Sequence, residues 1–162
     1  MSRELRRVPK GFQHPTNEAG HFIPLYDGHY ETAAADWLAG CILWSKGLDP
    51  RQKEEWCTDK YYWEYEGMPP REEDYMPPFD SDPTHFMMYE TCSEGTPISP
   101  AFETIEGLAR WLANTGASSF GTCTATYEQW LSTCKAGYAI GAVYTHKTGF
   151  ISGVEATTEL KG

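Results

Sequence analysis

Prolines confine regular structure in this 162-residue chain to a few windows. A proline has no backbone N–H and a fixed φ, so it breaks helices and leaves gaps in strand pairing. Pro9, Pro15 and Pro24 interrupt residues 1–30, and Gly11, Gly20 and Gly28 add turns. This segment reads as an extended, irregular arm. Its short apolar pieces, Phe22-Ile23 and Leu25-Tyr26, can add an edge strand or pack over a core. Further on, Tyr61 to Tyr65 suits a short strand or a helix end. The Pro-Pro pairs at 69–70 and 77–78 then exclude regular structure from the rest of 59–83.

Between the prolines, apolar residues recur at helical spacing. Trp37, Cys41 and Trp44 fall at i, i+4 and i+7, with Leu38 and Ile42 beside them, which predicts a helix over 32–46. Thr32 is its candidate cap and Gly47 its stop. Asp49-Pro50 opens a shorter helix reaching about Cys57. Thr104, helped by Glu106, opens another, with Ile105, Leu108, Ala109 and Leu112 on its apolar face and Gly116 at its end. A last helix carries Tyr127, Trp130, Leu131 and Cys134 on one face and ends at Gly137. Thr124 or Thr126 caps it, and with Thr126 the residue Gln129 completes a capping box.

Extended segments alternate with these helices. The run from His85 to Thr91 suits a central strand, with Phe86 and Met88 on one side and Met87 and Tyr89 on the other. Residues 92–97 form a turn and 98–102 a second extended piece. Residues 140–144 and 150–154 flank His-Lys-Thr-Gly as a hairpin, and the polar tail from Glu155 is expected to fray. The fold class is α+β, one domain over 1–162. A small antiparallel sheet, built from the 85–91 strand and the C-terminal hairpin, carries three or four helices with their Trp37, Leu112 and Trp130 faces inward.

With 40% apolar residues, a chain of this length buries a core without disulfides or metal. Its five cysteines are dispersed and odd in number, which reads as free thiols. No segment approaches the ~20 apolar residues of a membrane span. The basic N-terminus lacks the apolar stretch of a secretory signal, so a cytoplasmic location is expected.

Four kinds of chemistry can be weighed. Metal sites need Cys or His at close spacing. Cys123 and Cys134 are eleven apart, and His14, His21 and His29 lie on the irregular arm, so neither a metal nor a cofactor is expected. A Cys92–His85 pair would be separated by ~23 Å of strand. Glycosidases need two placed carboxylates, which an acidic loop supplies without catalytic intent, and no phosphate-binding glycine loop is present. An enzyme, as a small hydrolase or nucleotide-modifying protein, would have to use the Ser93-Glu94 turn with His85 or His146.

Binding has the strongest sequence support. Residues 1–58 carry seven basic and eight acidic side chains, residues 59–106 two and twelve, and residues 107–162 four and three. The imbalance behind the net charge of −10 therefore lies in the middle third. Such a chain repels the nucleic-acid backbone and attracts basic protein surfaces. In the same stretch Tyr61, Tyr62, Trp63, Tyr65, Tyr75 and Phe79 alternate with Glu64, Glu66, Glu72, Glu73, Asp74, Asp80 and Asp82. Tyr and Trp anchor interfaces because they bury a large area at small entropic cost, and the acids can pair with Lys or Arg of a partner. These thirteen residues are the candidate partner-binding surface. The alternative is that the rings cover the chain's own core and the acids keep it soluble.

The stretch from His85 to Trp130 contains Tyr-Glu-Thr, then Ser-Glu-Gly-Thr-Pro-Ile-Ser-Pro-Ala-Phe, Leu-Ala-Arg-Trp-Leu and Thr-Ala-Thr-Tyr-Glu-Gln-Trp-Leu. It resembles a widespread group of small phage and prophage accessory proteins, as does the opening Arg6-Arg7-Val8-Pro9 with Pro15 downstream. Cys92 stands where that group has a small hydroxyl residue, and Gly107 interrupts its usual helix start. The group has no agreed activity, so no functional residue carries over. The resemblance implies a protein made in a bacterial host cytoplasm. It would bind and inhibit a host protein or ribonucleoprotein complex with a basic surface, an anti-CRISPR or other anti-defence role, or else serve as a virion or assembly component.

Overall fold

The His-Phe-Met-Met-Tyr run carries apolar residues on both sides of an extended chain, which suits a strand covered on both faces. In the computed structural model, which describes residues 1–57, 60–92, 94–146 and 149–159, this run is strand β2 (His85–Thr91), paired antiparallel along its whole length with β1 (Ser2–Val8). The chain divides into two compact units, Leu25–Pro78 and a sheet unit made of Met1–Pro24 with Phe79–Gly162.

In the sheet unit, β3 (Thr96–Pro97) and β4 (Tyr138–Ala139) complete a four-stranded antiparallel sheet of order β3-β2-β1-β4. Leu5 lies opposite Met88 and Arg6 opposite Met87. Cross-strand partners share a face, so Leu5, Phe86 and Met88 meet the helices α3 (Ile105–Asn114), α4 (Tyr127–Ala136) and α5 (Gly153–Glu159). Met88, Leu108, Leu112, Trp130 and Val154 are fully buried there. Residues from the 9–24 segment cover the opposite face of the sheet. Buried His14 donates from Nε2 to the Ile23 carbonyl (2.7 Å) and accepts from the Tyr89 hydroxyl at Nδ1 (3.0 Å).

The expected irregular arm is thus corrected: residues 2–8 form an interior strand. Ser-Arg-Glu-Leu-Arg-Arg-Val hides its nature because two of its inward residues are arginines. Arg3 and Arg6 are both buried, and each has acceptors that offset its lost hydration. Arg3 donates to the Ser118 carbonyl (2.9 Å) and lies 3.7 Å from Glu90. Arg6 pairs with Glu4 (2.8 Å), donates to the Glu94 carbonyl (2.9 Å) and stacks 4.2 Å above the Tyr89 ring.

The helix starts of α3 and α4 follow the sequence. The Thr104 hydroxyl accepts from the Gly107 N–H, and Thr126 and Gln129 form the reciprocal box. Two C-terminal expectations need correction. Among the described residues, strands β5 (Ala142–Thr145) and β6 (Gly149–Ser152) pair only with each other, in a separate two-stranded sheet. The tail continues into α5, whose Val154 and Ala156 are buried, and Ser152 and Glu155 cap its start reciprocally.

In the Leu25–Pro78 unit, α1 (Tyr30–Ser45) starts after His29 rather than Thr32. Asp49 caps the next segment as expected, but 49–57 forms two 3-10 turns, Pro50–Lys53 and Glu55–Cys57, in place of one helix. Next comes α2 (Tyr62–Glu66). Trp44, Cys57 and Tyr62 form the core, joined by Trp37, Cys41 and Tyr65. A Cβ on Gly40 would fall on the phenol end of Tyr62, so glycine here is what lets α2 approach α1. Beyond Asp74 the unit closes on itself. Tyr26 N–H bonds to the Asp74 carbonyl (2.8 Å), and Met76 N–H to the Tyr26 carbonyl (3.0 Å).

Candidate functional site

The thirteen acidic and aromatic residues expected to form one surface separate by location. Phe79, Asp80 and Asp82 belong to the sheet unit, where Phe79 packs on Phe12 (5.5 Å between centroids). The other ten lie in the Leu25–Pro78 unit. Tyr62 is a core residue rather than an exposed anchor, held between Trp37 and Trp44. Tyr65 is half-buried and stacks on Trp44. Tyr61 and Trp63 are exposed and stack on each other at 6.0 Å and 6°.

Several carboxylates are already engaged. Glu64 accepts the Tyr61 N–H as part of a helix cap (2.8 Å). Glu66 meets Arg51 (3.1 Å), which also clamps Asp49 (2.6 Å) and lies over the Tyr65 ring. The Arg51 guanidinium holds the Asp49 carboxyl below its ordinary range. Glu73 and Asp74 both pair with Arg71 at 2.7 Å. Glu72 makes no ion pair among the described residues.

A cleft of about 500 Å³ gathers part of the set: Tyr62, Glu66, Asp74 and Tyr75 line it. Sequence reasoning missed its other wall. The first turns of α1 supply Ala33, Asp36 and Trp37, and the chain before α1 supplies Tyr26. Met68, Pro69, Pro70 and Arg71 complete the lining. The first Pro-Pro pair makes a stiff rim, but the expectation that the two pairs exclude regular structure is corrected, because Glu72–Asp74 between them forms a 3-10 turn. The rings are fixed in place: Tyr75 contacts Tyr26 (5.3 Å) and Tyr30 (6.1 Å), and Trp37 Nε1–H donates to the Gly67 carbonyl (3.1 Å). Of the three carboxylates on the lining, Glu66 pairs with Arg51 and Asp74 with Arg71, which leaves Asp36. Asp36 is exposed and has no ion-pair partner among the described residues. Aromatic faces beside uncompensated carboxylate suit a cation.

Comparisons with protein-family models, curated proteins and solved structures return no match.

A second cavity, about 600 Å³, lies in the sheet unit between Phe12, Phe22, Met87, Ile98 and Trp111. Its buried polar groups are satisfied internally. His14 bonds as described, and Ser99 accepts from the Met88 N–H while donating to the Pro100 carbonyl. Burial holds the His14 imidazole below its usual value, so it is neutral at pH 7.

Among the described residues, His85, His146 and Cys92 are not brought together. Ser93 lies outside the described residues. His85 contacts Thr84 (2.9 Å), and His146 packs on Tyr144. Cys92 and His85 sit at opposite ends of β2, and Cys92 Sγ donates to Glu90. The cysteines are free, and burial pushes the Cys134 thiol up to about 12. Among the described residues no group of three or more His, Cys, Asp or Glu could hold a metal, and no helix is long and apolar enough to cross a membrane.

Proposed function

We propose that this chain is a binding protein whose Leu25–Pro78 unit receives a cationic side chain, Arg or Lys, of a basic protein partner. The observation that carries this reading is the cleft itself: Trp37, Tyr26 and Tyr75 walls beside Asp36, Glu66 and Asp74. A cation over such rings gains roughly 0.5–2 kcal/mol, more as water is excluded. The exposed Tyr61–Trp63 stack lies in the same unit and offers further anchoring area. The surrounding charge speeds encounter with a basic surface. Together with the phage resemblance, this supports an accessory protein that blocks a host complex handling nucleic acid, a CRISPR–Cas or other defence assembly being the class of target.

Isothermal titration with a short Arg-containing basic peptide and its Glu-substituted counterpart tests the reading. Only the basic peptide is expected to bind. Affinity should fall as salt rises, and Asp36→Asn should weaken binding about tenfold. Equal binding of both peptides, or an Asp36→Asn variant that binds like the parent, would remove the cation from the proposal.

A further inference from the structure

Helix α1 is apolar nearly all the way round. Such helices are normally covered on every side. Its inner side, Trp37, Gly40, Cys41 and Trp44, packs against α2 and Tyr62. Its outer side remains open. Leu38 is 56% exposed, Ile42 45% and Leu43 46%, with exposed Ala35 and Ala39 between them. These positions recur at three- and four-residue spacing, so they form one continuous stripe. Folded monomers rarely leave a stripe of this kind in water. Glu31 marks its N-terminal end and Lys46 its C-terminal end, both exposed.

We propose that the occupant of this face is α1 of a second copy, docked antiparallel about a twofold axis level with the Leu38–Ala39 midpoint. The order of residues along the stripe is self-complementary in that arrangement. Ile42, close to the centre line of the stripe, lies level with Ala35 of the other copy, so a large side chain meets a small one there, and Leu38 meets its own symmetry mate beside the axis. At the ends, Glu31 of each copy meets Lys46 of the other, giving two symmetric ion pairs. A parallel pair would set Glu31 against Glu31 and Lys46 against Lys46. A twofold interface needs one patch that complements itself, and charge and volume both satisfy this here. Leu48, held beside the helix end by its N–H bond to the Leu43 carbonyl (3.0 Å), extends the patch. The proposal is independent of the cation cleft, which uses the opposite side of α1.

Sedimentation equilibrium of the full chain up to about 100 µM tests this. The parent is expected to be a dimer and Ile42→Glu a monomer with unchanged circular dichroism, since Ile42 is exposed. Glu31→Lys and Lys46→Glu should each weaken association at least about tenfold, and the double variant should restore it. A parent that stays monomeric throughout overturns the proposal and gives the face to a different chain. A dimer indifferent to Ile42→Glu also overturns it. Failure of the double variant to recover what the single variants lose overturns the antiparallel pairing.

Discussion

His14 shows how one side chain couples this fold to pH. It is buried between Tyr89 and the Ile23 carbonyl, and burial is the main cause of its lowered pKa. The folded chain therefore binds the proton less readily than the unfolded one. Where the unfolded state holds more protons, stability rises with pH. The contribution is complete above the unfolded value of about 6.5 and is lost as pH falls below it. Urea denaturation should show a midpoint that drops from pH 7 to pH 5, and His14→Gln should lose part of that slope. An unchanged slope in the variant would mean His14 does not titrate across unfolding. Gly40 makes a steric prediction. In Gly40→Ala the new methyl must displace a Tyr62 ring wedged between two tryptophans, so a loss of about 2 kcal/mol is expected in chemical denaturation.

At the level of elements, helices were the most legible part of the sequence. Helical periodicity together with Thr104, Thr126 and Gly137 located α3 and α4 almost to the residue. Thr126→Ala should cost about 1 kcal/mol by removing the cap on Gln129 N–H, measurable as a lower thermal midpoint. Strand β1 was illegible because its pattern breaks the rule that charge faces water. Arg3 and Arg6 are inside, compensated by carbonyls of Ser118 and Glu94 that lie far along the chain. Helix α5 was missed for a related reason. Its polar residues are used for contact, Ser132 donating to the Thr157 carbonyl and the Thr157 hydroxyl to that of Val154. The cleft proposed to take a cation is half legible in the sequence. Composition singled out Glu66, Asp74 and Tyr75, but Asp36 and Trp37 join them only because the bridge between Tyr26 and Tyr75 closes the unit on itself. No local pattern encodes that closure.

Across the whole molecule, charge follows the division into units. Residues 25–78 carry twelve acidic and five basic side chains, against eleven and eight in the remainder. The unit with the proposed cation cleft and the exposed Tyr61–Trp63 stack is thus the more acidic one. An electrostatically steered association should have an on-rate that falls steeply with salt while the off-rate changes little, which stopped-flow measurements on the cleft's ligand can separate. Two-dimensional NMR with an Arg-containing peptide locates the contact directly. The Trp37 indole N–H and the amides of Asp36, Glu66 and Tyr75 are expected to shift together and saturate with one binding constant. Shifts confined to the sheet unit, or spread evenly over exposed carboxylates without saturation, would contradict the cleft as the site.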